Sequence, residues 1–274
     1  MSRWQPRLIA ADLDGTLLNS RSRLSFSTRR AIRRAREAGI RVVPCSGRHF
    51  PGARAIAWQA GMRDLLIVGN GAQVRTFDGK LLFQRLLSPD CCLALLEVAQ
   101  RWKLACNLYA GDVIYAQAPN SVLDYYRRIN RTLPAAYRCP CFIVDDLSRQ
   151  IEKGKDALLK MELMPVPAGA AAELRILGGQ FPAMAFEGNW RASVEAHASG
   201  VDKGTGLRWA AAYYGLSLGE TLAFGDGEND VPLLRAAFAG AAMGNAAEAA
   251  LAAADFVVPD NDHHGVARTI RKYI

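Results

Sequence analysis

Short apolar runs alternate with longer amphipathic stretches along the first third of the chain. The runs 8–11, 40–43 and 65–68 are brief and rich in Leu, Ile and Val, as expected of buried parallel strands. Between them, the pattern predicts helices over 27–38 and 52–60, and a glycine of the kind that ends helices directly follows each. This alternation predicts a parallel sheet with right-handed crossovers.

The same alternation returns in the last third of the chain, whereas the middle differs. From about Leu86 to Asn189 the chain carries most of its prolines, all but one of its cysteines and a hairpin-like pattern around Gly111. We therefore predict an α/β core from residues 1–85 and 190–274, with an α+β domain inserted over 86–189. The further predicted elements are helices near 91–102, 121–131, 203–214 and 231–236, strands over 157–164 and 221–224, the segments 239–243, 246–253 and 256–258, and a closing helix that runs to Tyr273.

The composition is that of a globular chain. Half of its 274 residues are hydrophobic, yet no apolar run approaches the roughly 20 residues of a membrane span. The start of the chain lacks the apolar core of a signal peptide, and the six cysteines show neither a CxxC pair nor ligand-like spacing with histidines. We therefore expect free thiols, a cytoplasmic location and no membrane partner.

The formal net charge of +8 is concentrated in arginines ahead of Gly39. Ala31, Ile32 and Ala35 interleave with these arginines at helical spacing, so most of the arginines share one solvated helix face. No base-stacking aromatic pattern accompanies them. We therefore expect no nucleic-acid partner, and a positive field that favours encounters with small anionic substrates.

Two carboxylates follow the first predicted strand at alternate positions. Asp12 and Asp14 flank Leu13, and Gly15 then turns the chain. Residues i and i+2 of a strand share a side, so both carboxylates can address one point beyond the strand's end, where open α/β sheets bind ligands. Two like charges this close favour a shared divalent cation. A simple acidic turn is the alternative interpretation.

Three further segments lie at the ends of predicted core elements. Ser46 and Gly47 follow the second strand, where a hydroxyl and backbone amides can bind phosphate oxygens. Lys203 opens a predicted helix, and Asp226 and Asp230 follow a later strand. Taken one at a time, these segments can also be interpreted as a common Ser-Gly turn, an exposed lysine, and a calcium-type or simple acidic turn.

Together, the four segments predict a site for phosphoryl transfer. Asp12 and Asp226 offer carboxylate oxygens of the kind that Mg²⁺ prefers. Ser46 and Lys203 supply a hydroxyl and a cation for the remaining phosphoryl oxygens. An aspartate can act as a covalent nucleophile toward phosphorus when a metal and a lysine neutralise the charge of the phosphate.

These motifs resemble those of the haloacid dehalogenase superfamily, and within it the Cof-type phosphatases, which carry a large α+β cap inserted after the third core strand. The resemblance covers nearly the whole chain and includes Asn70-Gly71-Ala72, Met243-Gly244-Asn245-Ala246, and Asp260-Asn261 leading to Gly265-Val266-Ala267. It implies a Rossmann-like core, a cap that selects the substrate, and Mg²⁺-dependent hydrolysis of a small phosphorylated metabolite. Sugar phosphates are the leading class, ahead of nucleotides and cofactor phosphates such as pyridoxal phosphate.

The resemblance also implies a role for each residue of the site. Asp12 is the expected nucleophile, and Asp14 the expected general acid and base, whose backbone carbonyl also ligates Mg²⁺. Asp226 is the expected third metal ligand, with Asp230 nearby as a metal partner, directly or through water. The expected phosphate contacts are the Leu13 backbone, Ser46, Gly47, Lys203 and Asn229.

Two other functions remain open from the sequence. A phosphomutase shares the aspartyl-phosphate intermediate but must shield it from water. A non-catalytic sensor of sugar phosphates needs no general acid, so the presence of Asp14 argues against it. The sequence makes no prediction about the oligomeric state.

Overall fold

The computed structural model of this chain describes residues 4–188, 190 and 192–274. These residues form two compact units. The first runs to Gln84 and resumes with Val201–Ile274, and the second is the intervening segment Arg85–Gly200. The second unit is therefore an insertion between two parts of the first. Its role in selecting the substrate stays a prediction.

Strands and helices alternate along most of the described chain. The strands are β1 Leu8–Ala11, β2 Arg41–Pro44, β3 Leu65–Val68, β4 Gln73–Thr76, β5 Leu81–Gln84, β6 Ala105–Ala110, β7 Val113–Ala116, β8 Cys141–Ile143, β9 Leu158–Met164, β10 Met184–Glu187, β11 Val194–Ala198, β12 Thr221–Gly225, β13 Ala239–Met243 and β14 Phe256–Val258. The α-helices are α1 Phe26–Glu37, α2 Phe50–Ala60, α3 Pro89–Arg101, α4 Ser121–Asn130, α5 Leu147–Lys153, α6 Ala168–Gln180, α7 Lys203–Tyr213, α8 Val231–Ala236, α9 Glu248–Ala253 and α10 Gly265–Ile270.

A parallel sheet of five strands forms the centre of the first unit. Its order is β14-β13-β12-β1-β2, and every neighbouring pair is parallel. Leu8 of β1 packs with Leu207 of α7 and Leu233 of α8 in one buried apolar cluster. Such removal of apolar surface from water is the main favourable contribution to folding. The predicted fold class, an α/β core with an α+β insertion, is confirmed.

The carboxyl ends of three adjacent strands meet at one edge of this sheet. Register pairs Ala11 of β1 with Phe224 of β12 on one side and with Pro44 of β2 on the other. The loops that follow these strands therefore leave from the same edge, which is the ligand-binding edge of open α/β sheets. The arrangement extends to β3, because Cys45, just beyond β2, forms a parallel bridge with Ile67.

The second unit is a six-stranded sheet with the helices α3, α5 and α6 packed on one face. The order β10-β11-β9-β6-β7-β8 is antiparallel except between β7 and β8. Leu95 of α3, Ile151 of α5 and Leu174 of α6 belong to one buried apolar cluster with strand residues of this sheet. The hairpin predicted around Gly111 is confirmed as the turn between β6 and β7.

Most predicted elements are confirmed to within one or two residues, but some details differ. The segment predicted over 246–253 is helical only from Glu248. The closing helix, expected to run to Tyr273, ends at Ile270, after which the Tyr273 N–H donates to the Ile270 carbonyl at 2.9 Å and tightens the chain into a turn. The strands β4, β5, β8, β10 and β11 and the helices α5 and α6 were not predicted from the sequence.

No helix in the described part of the chain combines the length and the apolar character needed to span a membrane.

Candidate active site

Lys203 links two of the predicted carboxylates at the centre of the sheet edge. Asp12 directly follows β1, and its N–H donates to the Phe224 carbonyl of β12 at 3.0 Å, which fixes its position. The Lys203 ammonium donates to Asp12 Oδ1 at 2.7 Å and to Asp230 Oδ1 at 2.6 Å. Lys203 is only 1% exposed, so the alternative interpretation of an exposed lysine at a helix start is wrong.

Three carboxylates form a compact acidic cluster around this lysine. One oxygen from each of Asp12, Asp226 and Asp230 lies within 4.8 Å of the others. Carboxylate oxygens at such separations suit a hard divalent cation, and no sulfur or imidazole ligand interrupts the set among the described residues. The residues present therefore fit a divalent metal.

The electrostatics of the cluster also favour a divalent metal. Burial raises the pKa of Asp12 well above its ordinary range, and the Lys203 ammonium only partly offsets this effect. The pKa of Asp226 rises to about 6, mainly through burial and further through the charges of Asp230 and Asp14. Three carboxylates thus exceed what one ammonium can neutralise, and a divalent cation held here would supply the missing positive charge.

Asp226 is oriented by the loop that follows β1. The Thr16 hydroxyl donates to Asp226 Oδ1 at 2.6 Å. Gly15 has a φ of +82°, and a Cβ at this position would overlap the Asp226 carboxylate. Glycine is therefore required here both for its backbone conformation and for the close approach of the carboxylate. Asn245 closes the arrangement by donating to the Gly15 carbonyl at 2.9 Å.

Asp230 organises the loop after β12 in addition to holding the lysine. Its Oδ2 accepts hydrogen bonds from the backbone N–H groups of Asp226 and Gly227, both at 2.9 Å, while its Oδ1 accepts from Lys203. Both oxygens of this buried carboxylate are thus engaged by the protein. The consequence is a rigid link between the lysine and the Asp226 loop.

Asp14 lies apart from the acidic cluster and is held by Arg48. Arg48 Nε donates to Asp14 Oδ2 at 2.6 Å and Arg48 Nη2 to Asp14 Oδ1 at 2.7 Å, which is a bidentate pair. The Asp14 side chain is 51% exposed, and the Arg48 side chain 12% exposed. Arg48 is not among the site residues predicted from the sequence. Its position directly after Ser46 and Gly47, in the loop that leaves β2, is the signal that could have found it.

The remaining predicted residues lie on loops joined by Asn70. Asn229 Nδ2 donates to Asn70 Oδ1 at 3.1 Å, and a Cβ at Gly47 would come within 2.8 Å of the same Asn70 oxygen. Ser46 is buried and its Oγ accepts from the Arg48 N–H at 3.2 Å. The Leu13 side chain is fully buried, so this residue presents only its backbone to the sheet edge. Asn70 therefore couples two predicted phosphate contacts.

Known proteins match this chain in sequence and in fold over nearly its whole length. The sequence profile of the haloacid dehalogenase-like hydrolases matches residues 9–270. The chain is 29% identical to the pyridoxal phosphate phosphatase YbhA of Escherichia coli, over 98% of each chain. It is 28% identical to the phosphatase YwpJ of Bacillus subtilis, over 97% of this chain and 99% of the relative. A solved haloacid dehalogenase-like hydrolase from B. subtilis matches with a TM-score of 0.84 and 25% identity, over 98% of this chain and 100% of that chain.

Fold, site and relatives together define the class of this protein, which is a phosphoric monoester hydrolase. The chain belongs to the haloacid dehalogenase-like hydrolases, and within them to the Cof-type phosphatases. Members of this superfamily generally use a divalent metal ion, and the acidic cluster of Asp12, Asp226 and Asp230 is the place in the described chain that fits one.

Proposed function

We propose that this protein is a Mg²⁺-dependent phosphatase of small phosphorylated metabolites, sugar phosphates foremost, that works through an aspartyl-phosphate on Asp12. The observation that carries this proposal is the buried contact of Lys203 with Asp12 and Asp230, beside Asp226. A nucleophile, a cation and oxygen ligands for a metal then share one sheet edge. The relatives named as phosphatases, one of them acting on pyridoxal phosphate, support the reaction class.

The first half of the reaction forms the covalent intermediate. An oxygen of Asp12 attacks phosphorus, and the bond between phosphorus and the ester oxygen breaks. The electron pair of that bond stays on the leaving oxygen, which takes a proton from the carboxylic acid of Asp14. Lys203 offsets the negative charge that accumulates on the phosphoryl oxygens. The other phosphate contacts we propose are the Leu13 backbone, Ser46, Gly47 and Asn229.

The second half returns the enzyme to its starting state. The carboxylate of Asp14 now accepts a proton from a water molecule, whose oxygen bonds to phosphorus. The bond between phosphorus and Asp12 breaks, and inorganic phosphate leaves. Arg48 keeps the Asp14 carboxyl group in one orientation through both halves, because its two N–H groups contact both carboxyl oxygens.

We propose Asp12, Asp226, Asp230 and the Asp14 backbone carbonyl as the residues that hold the metal. Bound Mg²⁺ neutralises and orients the phosphoryl group, so that an anion can approach phosphorus. Asp230 contributes mainly by fixing Lys203 and the Asp226 loop, since both of its oxygens already accept hydrogen bonds.

The inserted unit is proposed to select the substrate. It is a compact body with its own apolar core, so its surface can differ between relatives without disturbing the site on the first unit. We propose the cytoplasm as the place of the reaction, because the six cysteines form no disulfide bond with one another and thiols persist in reducing compartments.

A phosphate-release assay over a panel of phosphorylated metabolites tests the proposal. We expect release from several sugar phosphates when Mg²⁺ is present, and loss of that release when a chelator removes the metal. Restoring Mg²⁺ to the chelated protein is expected to restore the activity. Absence of release from every panel member and from p-nitrophenyl phosphate, in a protein that melts cooperatively, would contradict the phosphatase assignment.

Asp14→Asn is expected to slow catalysis by an amount that depends on the leaving group. A sugar alkoxide needs a proton as it departs, whereas a nitrophenolate needs little assistance. We expect the phosphorylation rate to fall by about 10²- to 10⁴-fold for a sugar phosphate, which is the usual range for a general acid, and by much less for p-nitrophenyl phosphate. Single-turnover measurements isolate this half-reaction from slow hydrolysis of the intermediate. Equal losses for both substrates would remove Asp14 from the acid role.

Arg48→Lys is expected to weaken the same step without changing the chemistry. Lysine keeps the positive charge but cannot bind both carboxylate oxygens in the plane of the group. We expect kcat for a sugar phosphate to fall about tenfold with little change in KM, and no further loss when Arg48→Lys is added to Asp14→Asn. Arg33→Lys, at the exposed pair with Glu37, serves as the matched control. Additive losses in the double variant would show that Arg48 acts elsewhere.

A further inference from the structure

Two of the six cysteines lie one residue apart at an edge of the sheet in the second unit. Cys139 and Cys141 flank Pro140, and Cys141 is the first residue of β8, the outermost strand on that side of the sheet. Their Sγ atoms are 3.9 Å apart, a distance at which one thiol donates a hydrogen bond to the other sulfur. We call these two residues the thiol pair. Both belong to the second unit, so that unit alone sets the geometry of the pair.

Contacts with two other elements hold the backbone of the thiol pair. Asn130, the last residue of α4, binds both backbone groups of Cys139. Its Nδ2 donates to the Cys139 carbonyl at 2.8 Å, and the Cys139 N–H donates to its Oδ1 at 2.9 Å. On the other side, the Ile114 N–H of β7 donates to the Pro140 carbonyl at 3.0 Å. The separation of the two sulfurs is therefore set by α4 and β7 rather than by a loose loop.

The two thiols differ in exposure. Cys139 is 1% exposed, whereas Cys141 is only partly buried. The next residues of β8, Phe142 and Ile143, are 53% and 43% exposed. The strand order places β8 at the end of the sheet, so one side of this strand is not covered by another strand of the sheet. A dissolved reagent therefore reaches Cys141 first and finds Cys139 in contact with it.

The surroundings of Cys141 favour its thiolate, which is the nucleophilic form of a cysteine. The hydrogen bond from the Cys139 thiol and the charge of Arg127 on α4 lower the pKa of Cys141, although its partial burial opposes them. Burial instead raises the pKa of three other cysteines, Cys45, Cys92 and Cys106. Cys141 is therefore better prepared than these three to attack an electrophile.

We propose that the thiol pair is a site of reversible oxidation, at which a low-molecular-weight disulfide of the glutathione class converts Cys139 and Cys141 into a disulfide. Cys141 is the attacking thiol and Cys139 is the resolving thiol. The inference does not depend on the phosphatase function proposed above. It agrees with a reducing compartment, because the disulfides that form there are usually transient.

Two exchange steps complete the oxidation. In the first step, the Cys141 thiolate bonds to one sulfur of the reagent. The S–S bond of the reagent breaks, and its electron pair stays on the departing sulfur, which takes up a proton. In the second step, Cys139 gives its proton to solvent, and its sulfur bonds to the sulfur of Cys141. The other half of the reagent departs with the electron pair and takes up a proton, so two protein thiols are oxidised and one reagent disulfide is reduced to two thiols.

The disulfide formed in this way is expected to be easily reversed. A bond that closes so short a loop removes little freedom from the unfolded chain and therefore adds little stability. It is also accessible from the side of Cys141, and exposed disulfides are among those that thiols reduce readily. The thiol pair therefore fits a site that responds to the balance of thiols and disulfides rather than a permanent structural link.

Peptide mass spectrometry of the full-length protein tests this inference. The folded protein is treated with glutathione disulfide at neutral pH, then denatured and blocked with N-ethylmaleimide. We expect the peptide that contains the thiol pair to lose two hydrogen atoms, and the other four cysteines to be recovered as blocked thiols. Dithiothreitol, added before the block, should restore both thiols of the pair.

Three variants separate the roles of the two cysteines. Cys139→Ser should stop at a mixed disulfide between glutathione and Cys141, because the resolving thiol is absent. Cys141→Ser should leave Cys139 reduced, because the remaining thiol is buried. Cys91→Ala, which changes another buried cysteine of the same unit, is the matched control and should be oxidised like the parent protein.

A parent protein that keeps a glutathionyl group on Cys141 without forming the internal disulfide would overturn the inference. Oxidation of the thiol pair no faster than that of the other four cysteines, or a disulfide that joins two chains, would overturn it as well. Thermal melting of each variant checks that it is folded. If Cys139→Ser or Cys141→Ser does not melt cooperatively, the products formed in the parent protein decide.

Discussion

Asp12→Asn is expected to lower phosphate release by a factor of roughly 10³ or more while the protein remains folded. An amide is a poor nucleophile, and the substitution also removes one carboxylate from the candidate metal site. The fold is expected to survive because asparagine has nearly the same shape and Lys203 keeps its second carboxylate partner, Asp230. Turnover of a sugar phosphate and of p-nitrophenyl phosphate, with thermal melting of the same samples, provides the measurement.

Asp78→Asn is the matched control for this prediction, since Asp78 is exposed and lies in a turn of the same unit. It should keep the parent activity. If Asp12→Asn retains activity within tenfold of the parent protein, a change of about 1.4 kcal/mol in the barrier, then Asp12 is not the nucleophile. A variant that fails to melt cooperatively would be replaced by Asp12→Glu, which keeps the charge and moves the reacting oxygen.

Lys203→Met is expected to damage both activity and stability. The lysine is 1% exposed and donates to two buried carboxylates, and its pKa stays well above the ordinary value because Asp12 and Asp230 outweigh the effect of burial. Removing one partner of a buried ion pair typically costs about 3–5 kcal/mol. We expect a loss of this order in the free energy of unfolding at pH 8 with a chelator present, and a loss of activity of about 10²-fold or more.

The pH dependence and a matched variant make this prediction specific. Burial raises the pKa of Asp12 and the Lys203 ammonium partly offsets this, so without the ammonium the Asp12 carboxylate favours its protonated form and the stability deficit should shrink as the pH is lowered from 8 to 5. Added Mg²⁺ should also reduce the deficit, because it binds the folded state. Lys80→Met, at an exposed turn, controls for loss of a surface charge. A deficit no larger than that of Lys80→Met would show that Lys203 does not hold the cluster together.

The core of the site could be predicted from sequence because it depends on strand ends. The runs 8–11 and 221–224 are apolar enough to be identified as strands. Because adjacent parallel strands end at the same edge of a sheet, Asp12 and Asp226 come together there regardless of the conformation of the loops. The orientation of Lys203 was harder, since a lysine at a helix start is usually exposed. Its burial became apparent only with the partners that Asp12 and Asp230 provide.

The parts that escaped prediction depend on contacts between loops or on weak local signals. Arg48 and Asn70 act through side chains on different loops, and no periodicity relates them to Asp14 or Asn229. In the second unit, α6 contains three glycines and begins without a capping side chain, so its helical signal is faint. The positions of both cysteines in the thiol pair are set by neighbours on α4 and β7, which the spacing of the cysteines along the chain does not determine.

The interrupted first unit has a consequence for how this enzyme is made. The nucleophile's strand, β1, pairs with β12, and Leu8 lies opposite Thr221 in that ladder. During synthesis, β1 therefore cannot pair with β12 until the entire inserted unit has been translated. The inserted unit is one continuous segment, so it can fold as soon as it emerges from the ribosome. The site is completed last, when the final strands join the sheet. A chain released before the inserted unit is complete therefore carries Asp12 without Lys203 and Asp226, so catalytic competence itself reports that the chain beyond the inserted unit has been translated.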